Sequence, residues 1–168
     1  MRALQVAEAP LRTWVVVFDP GDDPIAGLTG WAREACVDGA AFSAIGAFEE
    51  ADIGWFDLDA RDYHGNAVRR QVEVLSLVGD ITAGVEPAGD PKVHAHVVLG
   101  ARDGSAHGGH LLRAAVRPTL EVVVTETPTT LRRRHDPATG LALIDLESSA
   151  RPAGPPSSAG GSHGQNRR

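Results

Sequence analysis

Apolar and polar residues alternate with a period of two along most of this chain, a pattern typical of β-strands. The predicted strands cover residues 12–19, 40–48, 51–57, 70–82, 91–100, 108–118 and 120–127. A last short hairpin is predicted from residues 131–136 and 141–146. Residues 59–66 are rich in charged and turn-forming residues, which predicts a loop or a short edge strand.

One segment breaks this alternation and is predicted as the main helix. Its apolar residues recur at helical spacing and comprise Ile25, Leu28, Ala32, Ala35 and Cys36. Asp22 or Asp23 can cap the helix, Pro24 suits its first turn, and Gly39 marks its end. One helix among seven or more strands predicts an α+β fold, with a mostly antiparallel sheet that closes towards a barrel.

The strand that begins after Pro91 carries two histidines two residues apart. Side chains two apart in a strand lie on the same face, so His94 and His96 share a face. The opposite face receives Val93, Ala95, Val97 and Leu99. Two neighbouring imidazoles make a poor apolar core, because each needs a hydrogen-bond partner or a metal ion once it is buried.

A third histidine follows on the next predicted strand. The Asp-Gly pair at 103–104 indicates a hairpin turn, which returns the Gly-Gly-His sequence at 108–110 towards the first two histidines. Three neutral imidazoles with a fourth position open form a common zinc site. The same spacing also arises by chance or from hydrogen-bonded polar residues. A site for zinc or another divalent metal at His94, His96 and His110 is therefore one of two open interpretations.

Two glutamates lie among apolar strand residues. Glu73 is predicted on one face with Leu75 and Leu77, and the opposite face carries Val72, Val74 and Ser76. Three interpretations of Glu73 stay open: an interface ion pair, a site carboxylate or an exposed edge residue. Glu121 lies at the start of the apolar run over residues 120–127. If the histidines hold a catalytic metal, Glu73 and Glu121 are the candidate proton carriers, and the catalytic residues are otherwise unknown.

Length and composition favour a single domain. The 168 residues, 42% of them hydrophobic, can bury one sizeable core. No stretch approaches the roughly 18 apolar residues of a membrane span, and the first residues lack the apolar segment of a secretory signal. Cys36 is the only cysteine, which excludes an internal disulfide and suits a reducing compartment. We expect a cytoplasmic, soluble protein with no membrane partner.

The charges divide the chain into two parts. Residues 1–146 hold 21 acidic and 13 basic residues, a net charge of -8, whereas residues 147–168 hold one acidic and three basic residues. A domain with this charge has no general attraction to DNA phosphates. Arg132, Arg133 and Arg134 form the one dense basic run, which is predicted either as a weak nucleic-acid patch or as a solvated edge strand. The Pro-, Gly- and Ser-rich residues 147–168 are predicted as a disordered tail.

Several motifs, in this order, resemble the plant-and-prokaryote-conserved (PPC) domain. They are FDPGDDPIAGL at 18–28, AIGAF at 44–48, EVLSLVGDI at 73–81, VHAHVVLGARDG at 93–104, GGHLL at 108–112 and PTLEVVVTE at 118–126. The likeness covers roughly residues 10–146, which we take as the domain. This family occurs beside AT-hooks in plant nuclear proteins and as a stand-alone bacterial protein.

The resemblance implies an α+β domain that forms homotrimers and whose bacterial members carry a DNA-binding label. It places the family's HxH and GGH motifs on His94, His96 and His110. Plant members contact DNA through an AT-hook with a Gly-Arg-Pro core, which the minor groove favours. Here the tail offers only the sequence ARPAG at 150–154, so DNA is expected to be a weak partner at most. The family's fold is also distantly similar to acetolactate decarboxylase, a likeness that carries no substrate with it.

Three hypotheses about function follow. The first is a homotrimeric PPC-domain protein that binds a divalent metal through three histidines and acts in DNA-associated regulation. The second is a zinc-dependent lyase or hydrolase acting on a small carboxylate, in which the metal polarises the substrate or binds water. The third is a trimeric scaffold whose histidines are structural. The sequence alone does not decide whether the protein is an enzyme.

Overall fold

The computed structural model describes residues 1–7, 11–84 and 89–149. Of the tail predicted over residues 147–168, residues 150–168 lie outside these ranges, whereas 147–149 are described and Ser149 Oγ donates to the Asp145 carbonyl at 2.7 Å. Within them, the chain forms β1 (Arg2–Ala7), β2 (Thr13–Phe18), α1 (Pro24–Glu34), β3 (Gly39–Asp57), β4 (Asp62–Val68), β5 (Val72–Thr82), β6 (Lys92–Gly100), β7 (Ala106–Glu126), β8 (Arg133–His135) and β9 (Ala142–Ile144). No helix in these ranges is long and apolar enough to span a membrane.

The sheet follows the order β1-β2-β7-β6-β5-β3-β4, and all of its strand pairs are antiparallel. An additional pairing joins β7 to β3 and gives the sheet a partly ring-like form through β3, β5, β6 and β7. The α+β fold with a mostly antiparallel sheet and one main helix, predicted from the sequence, is confirmed. Strands β8 and β9 form a separate two-stranded hairpin.

The core lies between the inner face of the sheet and the helix. Its largest fully buried side chains are Phe18, Leu28, Phe48, Leu77, Ile81, Leu99, Leu111 and Leu120. Asp23 caps α1 by accepting a hydrogen bond from the Ala26 backbone N–H at 2.9 Å, and the helix buries Trp31 and Ala32. Apolar burial on this scale is the main favourable contribution to folding.

Two strands are longer than the sequence predicts. Strand β3 joins the strands predicted over 40–48 and 51–57, and β7 continues through Pro118, where the sequence predicts a strand break. Residues 117–119 fall within a register shift between β7 and β3, so the missing N–H of Pro118 does not interrupt a ladder hydrogen bond with β3. At the start of the chain, β1 is absent from the sequence prediction, and β4 is a full edge strand of seven residues.

Two other expectations need correction. A bulge between Val74 and Ser76 reverses the alternation in β5, so Leu77 is buried and Ser76 is exposed. An extra residue on one strand moves every later side chain to the opposite face, and the apolar pattern alone does not reveal it. Cys36 is exposed because α1 ends at Glu34, and Cys36 has a positive φ of 54° just beyond the helix.

A Leu99→Ala substitution tests the predicted core face of β6. Leu99 is fully buried, so its truncation leaves a cavity and should lower the free energy of unfolding by about 2–5 kcal/mol. Leu58→Ala is the matched control, because Leu58 is 65% exposed and its loss should change stability by less than about 0.5 kcal/mol. Urea denaturation at one protein concentration measures both values, and equal losses would contradict this placement of β6.

Candidate metal centre

Strand β6 places its histidines on the outer face of the sheet. Val93, Ala95, Val97 and Leu99 are buried in the core, as the alternation predicts. His94 is half-buried and His96 is exposed on the opposite face. The division of this strand into an apolar face and an imidazole face is therefore confirmed.

A tight hairpin returns the chain to the same place. The Ala101 N–H donates to the Ser105 carbonyl at 2.8 Å, and the Gly104 N–H donates to the Ala101 carbonyl at 2.9 Å. Gly104 adopts a φ of 81°, a conformation that few residues other than glycine accept easily. The resulting register pairs His96 directly with His110 on β7.

Glycines let the strands around His110 approach closely. A Cβ atom on Gly109 would lie 2.8 Å from the carbonyl oxygen of Gly54 on β3. A Cβ on Gly54 would lie 2.7 Å from the ring of Tyr63, and that ring packs on His110 with 4.8 Å between ring centroids. Side chains at Gly54 or Gly109 would therefore push apart the backbone and the ring that hold His110 in place.

The three histidines converge as the sequence predicts. One ring nitrogen from each of His94, His96 and His110 lies within 4.8 Å of the other two. The ring centroids are 5.2 Å apart for His94 and His96, 5.0 Å for His94 and His110, and 5.4 Å for His96 and His110. The imidazoles thus face one common point from two adjacent strands.

A carboxylate and a guanidinium lie beside His94. Asp80 on β5 is its cross-strand partner, and the Asp80 Oδ2 atom is 3.4 Å from His94 Nδ1. Arg133 on β8 donates from Nη2 to Asp80 Oδ1 at 2.6 Å and lies 3.2 Å from His94 Nδ1. The Arg133 side chain is only 7% exposed. These two residues form an outer layer around one of the three histidines.

The environment disfavours protonation of two of the three imidazoles, those of His96 and His110. Burial, together with the charges of neighbouring His94, His96, Lys92 and Arg133, lowers the pKa of His110 to about 4. Burial and the proximity of His94 also lower the pKa of His96. Burial by itself would raise the pKa of Asp80, but hydrogen bonds with His94 and Arg133 outweigh it and lower that pKa.

This donor set fits a divalent metal. Neutral imidazole is the form that binds zinc, and three such ligands leave one coordination position for water or a ligand. His110 Nδ1 is buried without a hydrogen-bond partner among the described residues, which shows that the polar requirements of the cluster are incomplete. A carboxylate next to a histidine, as Asp80 is to His94, is the usual outer partner of a metal ligand.

A cavity of about 440 Å³ opens beside His94 and His110. Its other lining residues include Tyr63, Lys92 and Arg133, with apolar walls from β7 and β9. Burial raises the pKa of Tyr63, which keeps its hydroxyl protonated as a hydrogen-bond donor. No aspartate or glutamate is among the lining residues that the structure describes. Because Asp80 pairs with Arg133, Lys92 is the cation of the lining that favours a small, negatively charged ligand.

The structure separates the two candidate glutamates from the histidines. Glu73 and Glu121 are exposed and line a different cavity, together with Ile45 and Leu75. That cavity has no histidine among its described lining residues. The carboxylate that does contact the cluster, Asp80, is absent from the candidates that the sequence indicates.

The three adjacent arginines at 132–134 do not point in one direction. Arg133 points inwards to Asp80, whereas Arg134 is 69% exposed and pairs with Asp145 at 3.3 Å. The Arg132 backbone N–H donates to Ser149 Oγ at 3.1 Å. The three arginines therefore do not share one surface, which limits the patch predicted from their adjacency in sequence.

Acid should destabilise the folded, metal-free protein through His110. Unfolded His110 binds a proton near its ordinary pKa of 6.5, whereas the folded residue does so near 4, so the unfolded state binds more protons between these values. The free energy of unfolding should fall as pH decreases through this window, by at most about 3.4 kcal/mol. Below the window both states are protonated at His110, so its contribution should not change further.

Denaturation of the metal-free protein at several pH values measures this loss. His110→Gln should remove the corresponding part of the pH dependence. His107→Gln is the matched control, since His107 is exposed on the same strand, and the part of the pH dependence assigned to His110 should persist in it. Identical pH profiles for the two variants would show that His110 does not cause the effect.

Comparisons with solved structures give matches over most of this chain. A metal-containing protein from Archaeoglobus fulgidus has a TM-score of 0.73 and 31% identity, over 84% of this chain and 99% of its own. A candidate DNA-binding protein from Ralstonia eutropha has a TM-score of 0.74 and 30% identity, over 83% and 94%. A plant- and prokaryote-conserved (PPC) protein from Pyrococcus horikoshii has a TM-score of 0.74 and 25% identity, over 83% and 97%.

Two further comparisons add less. A Staphylococcus aureus protein of unknown function, similar to alpha-acetolactate decarboxylase, matches with a TM-score of 0.48 and 18% identity, over 67% of this chain and 51% of its own, a likeness too weak to inform on function. No curated protein matches significantly.

The family model of the Plants and Prokaryotes Conserved (PCC) domain matches residues 5–128. This is the PPC domain that the sequence motifs resemble. The chain belongs to the Plants and Prokaryotes Conserved domain family.

Proposed function

We propose that this protein is a homotrimeric, metal-binding member of the family that serves in DNA-associated regulation. The observation that carries the proposal is the convergence of His94, His96 and His110, with Asp80 behind His94. A relative with 31% identity is described as metal-containing, which supports the same assignment. Zinc held by three neutral imidazoles supplies a Lewis-acidic position for one further ligand.

The trimer is supported by an apolar patch on the outer face of the sheet. The patch consists of Ile45, Leu75, Val78, Val98 and Val123, which are between 40% and 62% exposed. Ile45 and Val123 lie on paired strands, β3 and β7, while Val78 is the cross-strand partner of His96. Several exposed apolar residues on one face of a sheet are typical of a surface that packs against another protein. Closed symmetry would cover the same patch on every copy.

The DNA-associated role is supported by the name of a relative rather than by the charge of this chain. A protein of 30% identity is described as a candidate DNA-binding protein. Residues 1–146 carry a net charge of -8, and Arg133 is buried against Asp80. We therefore propose that any direct contact with DNA is weak and depends on salt.

A second candidate function, a zinc-dependent lyase or hydrolase, is supported by the cavity beside the histidines. Lys92 gives the lining a positive charge, whereas the charge of Arg133 is paired with Asp80, and the described lining residues include no carboxylate. A bound metal would add positive charge, so a small carboxylate is the favoured substrate class. Tyr63 lines this cavity and can hold a proton there, whereas Glu73 and Glu121 line another cavity. A structural role of the histidines in a trimeric scaffold is the third candidate.

Metal analysis tests the assignment directly. The purified protein should bind about one zinc ion per chain, and His94→Ala, His96→Ala and His110→Ala should each abolish stoichiometric binding because each removes one of three ligands. His107→Ala is the control, since it removes an exposed histidine from β7 outside the cluster. Stoichiometric zinc in a variant that lacks all three ligands would overturn the proposed site.

The oligomeric state provides an independent test. Light scattering at micromolar concentration should give about three times the 17.6 kDa mass of one chain. Ile45→Asp should dissociate the assembly, because it places a charge in the apolar patch where Ile45 is 62% exposed in the single chain. Leu58→Asp, at an exposed position outside the patch, should leave the mass unchanged. A single-chain mass for the unaltered protein would rule out the trimer.

Duplex DNA should bind only weakly. A titration at about 0.15 M salt should show no sub-micromolar affinity, because a trimer of acidic domains repels the phosphate backbone. At lower salt, an Arg132→Ala/Arg134→Ala variant should reduce the log–log salt slope by about 0.9 for each phosphate that these arginines neutralise. This variant leaves Arg133 in place because that residue holds Asp80. Sequence-selective, sub-micromolar binding at about 0.15 M salt would restore a direct DNA-binding role.

A further inference from the structure

We infer that the hairpin β8–β9 completes the metal centre and that its Arg133 is a positioning residue, acting through Asp80 on His94. This inference rests on the proposed metal function. The hairpin lies beyond residues 5–128, the part of the chain that the family model matches. The histidines themselves come from β6 and β7 within that part.

The Arg133 side chain is buried and hydrogen-bonds two strands, unlike an exposed surface arginine. Its Nη2 atom donates to Asp80 Oδ1 at 2.6 Å, and its Nη1 atom donates to the carbonyl of Ala142 at 2.8 Å. Its side chain is 7% exposed, whereas that of the adjacent Arg134 is 69% exposed. A guanidinium can make both bonds at once because its donors form a rigid fork, and a lysine ammonium cannot reproduce that geometry. One side chain thus joins the hairpin to β5.

The hairpin is held beside this sheet by backbone bonds. The Leu131 N–H donates to the carbonyl of Asp38 at 3.0 Å, and the Leu131 carbonyl accepts from the Ala83 N–H at 2.8 Å. Asp38 lies just before β3 and Ala83 just after β5, so the segment leading into β8 is fixed to the end of both strands. These bonds place Arg133 beside the paired ends of β5 and β6, where Asp80 and His94 are cross-strand partners.

Asp80 lies between Arg133 and the candidate metal ligand His94. His94 Nδ1 lies 3.4 Å from Asp80 Oδ2 and 3.2 Å from Arg133 Nη2, so it can donate to the carboxylate in one tautomer or accept from the guanidinium in the other. Metal binding through Nε2 would select the first tautomer, in which Nδ1–H donates to Asp80 and Nε2 has a free lone pair. That lone pair is what a metal requires, and an outer carboxylate both orients the ring and increases its basicity.

Loss of the Arg133 guanidinium should therefore weaken metal binding while leaving the three histidine ligands in place. Metal-free protein is titrated with cobalt(II), whose visible absorption reports both occupancy and tetrahedral geometry. Arg133→Met should weaken cobalt affinity by about 10–100-fold, and Asp80→Asn should do the same. Arg134→Met is the matched control and should leave the affinity unchanged. Arg133→Lys should fall between the unaltered protein and Arg133→Met, because it restores charge without the fork.

The double variant separates a positioning role from general destabilisation. If Arg133 acts through Asp80, then Arg133→Met should have little further effect on cobalt affinity in protein that already carries Asp80→Asn. If the two substitutions acted independently, their fold-losses in cobalt affinity would instead multiply in the double variant. Circular dichroism of each variant checks that the sheet is retained, and should Arg133→Met fail to fold, Arg133→Lys and Asp80→Asn still provide the comparison.

The outcomes are distinct. Tight cobalt binding by the unaltered protein, with weakened binding in the Arg133 and Asp80 variants only, supports the inference. Unchanged affinity in folded Arg133→Met, or effects that multiply in the double variant, overturns the positioning role and leaves the metal site standing. No cobalt or zinc binding by the unaltered protein overturns the proposed metal function and this inference with it.

Discussion

The antiparallel register of β6 with its two neighbours is the constraint on which the candidate site depends. On one side it pairs His96 with His110, and on the other it pairs His94 with Asp80. A shift of either pairing by one residue would move an imidazole to the apolar face and a core side chain to the outer face. The buried residues of β6, including Val97 and Leu99, resist such a shift. Core packing thus fixes the geometry of the polar site.

The same register places the histidines next to the apolar patch on the outer face of the sheet. One lateral row on the outer face runs through Val123, Ser43, Val78, His96 and His110. Any protein surface that covers Val78 must therefore also approach His96, which is the exposed member of the cluster. The proposed assembly surface and the candidate metal centre therefore lie on one face of the sheet, and substitutions at Val78 test both proposals together.

The parts of the fold that follow from local sequence patterns were predictable. Alternation in β6 assigned both faces of that strand, and the Asp-Gly turn with His110 beyond it indicated the cluster. The bulge in β5 and the continuous strands β3 and β7 depend on pairing with distant strands, which a single sequence does not display. Asp80 becomes identifiable only once the register of β5 with β6 is known. That register makes Asp80 the cross-strand partner of His94.

Arg133 shows the limit of reading charge from sequence. Three adjacent arginines predict a basic patch when each is assumed to face solvent, yet alternation in the short strand β8 sends Arg133 and Arg134 to opposite sides. Removing a guanidinium from water is costly unless a carboxylate and further hydrogen bonds compensate it. Here Asp80 and the Ala142 carbonyl bind the two Nη atoms, whereas Nε is buried without a partner among the described residues. The central charge of the run therefore contributes to the interior of the candidate metal centre, and the acidic surface loses one of its few cations.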